Sequence, residues 1–93
     1  MGLDITFFAG NPETHKARVF GQYRNLWWVV DFLEVPEERN GSDIEIGRDA
    51  LEQIAYNPAI WECRNGKEVA AACRDAIKNV DWDHEHMYVN CWW

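Results

Sequence analysis

No stretch of this 93-residue chain reaches eighteen apolar residues, and the opening Met1-Gly2-Leu3-Asp4 lacks the basic-then-apolar layout of a secretion signal. Neither a membrane span nor export is expected, and a cytoplasmic setting is. Cysteine is scarce: Cys63, Cys73 and Cys91 are an odd number without Cys-x-x-Cys spacing, which speaks against a disulfide framework and a zinc knuckle. Bases are few. Nine Lys and Arg face sixteen Asp and Glu, and the resulting formal charge of −7 has the wrong sign for gripping phosphates, so no direct nucleic-acid contact is expected. Serine occurs once, as Ser42, with no nucleophile-elbow or phosphate-loop spacing around it. A domain this small seldom forms a cleft deep enough to raise a carboxyl pKa, so the chain reads as non-enzymatic and without a cofactor.

What is present suits one domain over residues 1–93, because a chain of this length buries roughly 65% of its surface and needs no staples. The charge is uneven. Residues 31–62 hold nine acids against Arg39 and Arg48, a net −7, whereas the flanking thirds nearly balance. Such a run is usually a solvated face, but it also suits a basic partner. Tryptophan is plentiful: six residues, with doublets at Trp27-Trp28 and Trp92-Trp93. Neighbours on a strand point to opposite faces, so the second doublet cannot be wholly buried, and one ring is left for solvent or a partner.

Alternation of Leu3, Ile5 and Phe7 with polar neighbours predicts a first strand over 2–8, followed by a turn at Ala9-Gly10-Asn11-Pro12. A short extended piece at 17–20 closes a hairpin. Leu26, Val29, Val30 and Leu33 at helical spacing predict a helix over 23–34, stopped at Val35-Pro36. Asp43–Ile46 alternates as a strand, Arg48–Tyr56 as a brief helix ended by Asn57-Pro58, and Val69, Cys73, Ala76, Ile77 and Val80 line a helix over 67–79 with Asn65 as N-cap. Met87, Val89, Cys91 and Trp93 alternate as a last strand. The expected class is α+β, a small antiparallel sheet including both terminal strands packed against two or three helices. Val69, Cys73, Ile77 and Val80 should be buried with Leu26, Val30 and Leu33.

The densest set of metal-ligand types is Asp81-Trp82-Asp83-His84-Glu85-His86, where extended chain would put His84 and His86 on one side. A polar turn entering the last strand explains the same residues, and a small metal-binding domain stands as the alternative.

Met1-Gly2-Leu3-Asp4-Ile5, Gly21-Gln22-Tyr23-Arg24-Asn25 and Asp43 to Leu51 resemble a loose group of small bacteriophage and prophage proteins. The resemblance covers about half of the chain and implies a phage origin, in which proteins of this size commonly bind a host or viral protein. The expected function is an acidic binding protein that inhibits or modulates a host protein, an anti-CRISPR or anti-restriction inhibitor of a nucleic-acid-binding target being one form. Its expected contacts to a basic surface are Glu34, Glu37, Glu38, Asp43, Glu45 and Trp92, and a homo-oligomer joined through exposed tryptophans is a further alternative.

Overall fold

The computed structural model describes residues 2–93. Four strands, β1 (Asp4–Gly10), β2 (Ala17–Arg24), β3 (Asp43–Ile46) and β4 (His86–Trp92), form an antiparallel sheet in the order β2-β1-β4-β3. Both terminal strands are thus central, paired from Asp4↔Trp92 to Gly10↔His86. The α-helices are α1 (Trp27–Phe32), α2 (Arg48–Ala55), α3 (Pro58–Trp61) and α4 (Gly66–Asn79), and a 3-10 turn spans Glu37–Arg39. The expected α+β class and sheet are present, with four helices rather than two or three. The short axis of 18 Å leaves room for one sheet and one helical layer.

Alternation does the sorting. Leu3, Ile5, Phe7 and Ala9 of the β1 segment and Met87, Val89 and Cys91 of β4 point inward and are almost completely buried. Leu26, Val29 and Val30 around α1, Leu51, Ile54 and Ala55 of α2, and Val69, Cys73 and Ala76 of α4 join them in one core. Ile77 and Leu33 are corrections to the predicted core: both pack against its margin and are only half-buried.

The helix expected over 23–34 is shorter, because Gly21-Gln22-Tyr23-Arg24 continue β2. Asn25 ends that strand in the left-handed region at φ 60°, and it exchanges hydrogen bonds with Leu3: Leu3 N–H donates to Asn25 Oδ1 at 3.0 Å and Asn25 N–H to the Leu3 carbonyl at 2.7 Å. The strand bends before it ends. Phe7 faces Gly21 while Phe8 faces Val19, so Phe20 is the extra residue of a bulge on this edge strand, which blunts the edge against stray pairing.

Helix ends depart from expectation in two places. Asn65 precedes α4 in a left-handed conformation, and its side chain donates to Glu68 Oε2 instead of accepting from a first-turn amide. Asn57 does cap, but for α3: its Oδ1 accepts from Ala59 N–H at 3.0 Å, with Pro58 at the first helical position. The α1 C-terminus closes with Val35 N–H donating to the Val30 carbonyl and Glu34 N–H to that of Asp31, the paired bonds of a Schellman motif. Glu34 occupies its left-handed position, φ 53°, where glycine is usual.

Candidate interaction surface

The residues that alternate away from the core form the other face of the sheet, which no helix among the described residues covers. Register sets Phe8 of β1 opposite Tyr88 of β4, Thr6 opposite Asn90 and Asp4 opposite Trp92. On the far side of β4, Asp43 lies opposite Asn90 and Glu45 opposite Tyr88. The Phe8 and Tyr88 rings stack at 5.3 Å between centroids with 22° between planes. They floor a shallow depression of about 260 Å³ bounded by His15 and Lys16 of the hairpin turn and by Asp43. Trp92 is 60% exposed and Val19, on the β2 side, 57%. Two large aromatic rings half-open to water and a third mostly exposed make this the apolar surface most suited to a partner.

Polar contacts fix the rim. Asn90 Nδ2 donates to Asp43 Oδ1 at 2.9 Å and to the Gly41 carbonyl at 3.0 Å. His86 Nδ1 lies 3.2 Å from Glu45 Oε1, and Arg24 Nε 3.0 Å from Asp4 Oδ1. Gly41, φ +81°, passes directly beneath Trp92, where a Cβ would come within 2.4 Å of the indole. Only glycine satisfies both the backbone conformation and that approach.

Three of the expected contact residues, Asp43, Glu45 and Trp92, are therefore brought together on this face. Glu34, Glu37 and Glu38 are exposed in the connection from α1 to β3, outside the sheet. Phe8 and Tyr88 escaped the sequence reading. Their signal is an aromatic ring out of phase with the buried alternation, but only strand register shows that two such rings meet.

Acidic charge is largely uncompensated across the surface. Among the described residues, Asp31, Glu34, Glu37, Glu38, Asp43, Asp49 and Glu62 are exposed and have no basic side chain within ion-pair distance. Arg39 donates to the Asp43 carbonyl at 3.3 Å, not to its carboxylate.

The 81–86 cluster is a turn stapled by its own carboxylates. Glu85 Oε1 accepts from Asp81 N–H and from Arg18, both at 2.9 Å, and these bonds hold its carboxyl below the usual range, the Asp81 amide contributing most. Asp81 Oδ2 lies 2.8 Å from His84 Nδ1; that hydrogen bond lowers the Asp81 pKa and raises that of His84. His84 and His86 do not share a strand face, since His84 belongs to the turn and β4 begins at His86. Each takes a different carboxylate, and among the described residues no group of three or more His, Cys, Asp or Glu is arranged to hold a metal ion.

Cys73 and Cys91 are buried free thiols, their pKa values pushed up by burial to about 12 and about 11. No helix among the described residues is long and apolar enough to cross a membrane. Comparison with protein-family models, curated proteins and solved structures finds no match.

Proposed function

We infer that the protein is a non-enzymatic binding module whose open sheet face docks on a host protein through Phe8, Tyr88 and Trp92, with Asp43 and the neighbouring acids meeting a basic surface. The observation that carries this reading is the Phe8–Tyr88 stack on the same sheet face as exposed Trp92, with Asp43, a carboxylate without a basic partner, at its rim. Aromatic rings supply contact area at small entropic cost, and unpaired acids raise the encounter rate with a positively charged surface. A surface that ordinarily holds nucleic acid has the complementary sign, and the resemblance to phage proteins supplies the setting in which occupying it blocks a host defence.

The test uses a protein captured from host extract, purified and titrated directly. Tyr88→Ser and Trp92→Ser should each weaken its binding by about tenfold or more. The triple change Glu37→Gln, Glu38→Gln, Asp43→Asn should slow association, and the native complex should loosen with salt. Glu13→Gln, Glu62→Gln and Asp83→Asn form the matched control, since those side chains make no hydrogen bond or ion pair among the described residues. Equal sensitivity to both triple sets, or indifference to the aromatic changes, would overturn the reading.

A further inference from the structure

The polar side of α2 forms part of a groove. Asp49, Glu52, Gln53 and Tyr56 recur at helical spacing on the side of α2 away from buried Leu51, Ile54 and Ala55. With Phe32 at the end of α1 and Pro58 at the start of α3, they line an open groove of about 800 Å³. Among the described residues no basic side chain lines it. Glu52 shares its charge with Arg48 at 3.3 Å, but Asp49 has no such partner among the described residues. Tyr56 is 60% exposed and Phe32 half-buried, so the groove presents aromatic surface and carboxylates together.

That pairing selects for cations of one kind. An aromatic face attracts a cation through its quadrupole, and a carboxylate accepts from it. A guanidinium is planar, stacks on rings and is more weakly hydrated than an ammonium, so it loses less on entering such a site. We propose that the groove between α1 and α2 receives an arginine-bearing segment of a partner protein, with the guanidinium against Tyr56 and Phe32 and its N–H groups on Asp49 and Glu52. This adds a second contact surface to the sheet face and rests on the functional reading above only for the sign of the partner's charge.

The probe is acetyl-Gly-Arg-Gly-Arg-Gly amide, titrated at low salt into the ¹⁵N-labelled full chain, with the citrulline peptide as its neutral counterpart. Saturable shifts are expected at Phe32, Gln53 and Tyr56 with the arginine peptide and not with citrulline. Asp49→Asn with Glu52→Gln should weaken binding by at least about fivefold, and Tyr56→Leu by a few-fold, while Glu37→Gln with Glu38→Gln changes it less than about twofold. Equal loss in both double variants would mean that only the general field attracts the peptide, and would overturn the groove. Shifts at Phe8, Tyr88 and Trp92 instead would overturn it while leaving the sheet-face reading in place. An absence of saturable shifts would also overturn it, independently of the captured-partner titration that tests the sheet face.

Discussion

The side-chain amide of Asn40 pairs with the backbone of Trp93 as a neighbouring strand would, accepting from Trp93 N–H at 2.8 Å and donating to its backbone oxygen. Gly41 N–H donates to the Cys91 carbonyl just beyond, so this connection extends the sheet past the end of β3. Asn40→Ala leaves two part-buried backbone groups without partners and should cost about 1–3 kcal/mol in urea unfolding. Asn40→Asp keeps the acceptor but sets a charged oxygen against the Trp93 backbone oxygen, so at neutral pH it should cost at least as much as Asn40→Ala.

At Glu34 the expected sign is reversed. Relief of a left-handed conformation is worth roughly 1–2 kcal/mol for a residue with a Cβ. The added unfolded-state freedom of glycine offsets about 0.5–1 kcal/mol of it. Glu34→Gly should therefore raise the urea midpoint at constant m-value, and Glu34→Ala should not.

In the core, Leu51→Ala and Ile54→Ala should each cost ~2–5 kcal/mol, because both side chains are fully buried between α2 and its neighbours. Ile77→Ala and Leu33→Ala should cost distinctly less, in line with their marginal positions. Gly66→Ala is the outlier to look for: its new Cβ would fall 1.7 Å from the Ile60 carbonyl oxygen, backbone that cannot swing aside. A loss of about 3 kcal/mol or more is expected despite the better helix propensity of alanine.

The thiols give a pH test. Cys73 and Cys91 have folded pKa values of about 12 and about 11 against an ordinary 9.0, so the folded state holds their protons more tightly than the unfolded one. This stabilisation is complete below pH 9 and is lost as pH rises toward 12. Unfolding midpoints should thus fall over that window, and replacing both cysteines by alanine should flatten the fall. At pH 8, half-buried Cys63 should react first with a thiol reagent, and reductant should leave the melting temperature unchanged.

Elements with strict alternation or a single apolar stripe were legible in the sequence: β1, β3, β4, α2 and α4 stand within a residue or two of expectation. The boundary between β2 and α1 was not. Trp27, Trp28 and Phe32 broaden the apolar stripe of α1, and nothing local marks Asn25 as a strand end, since its role depends on Leu3 across the sheet. Ile77 shares the spacing of the buried α4 residues, but it stands near the helix end where cover thins. The acidic excess of residues 31–62 was visible in the composition. Which acids share a surface with Trp92 was not, because that follows from the pairing of β3 with β4.

The central position of β4 governs how this chain can fold. β1 has its ladder partners at opposite ends of the sequence, β2 immediately after it and β4 last of all. Closing so long a loop must precede the reward of pairing, so folding should be slow relative to helical domains of equal size. During synthesis the β1–β2 hairpin waits with the other edge of β1 unpaired until His86–Trp92 has left the ribosome. Until then β3 has no strand beside it, and a nascent chain stalled before β4 is a substrate for chaperones or aggregation.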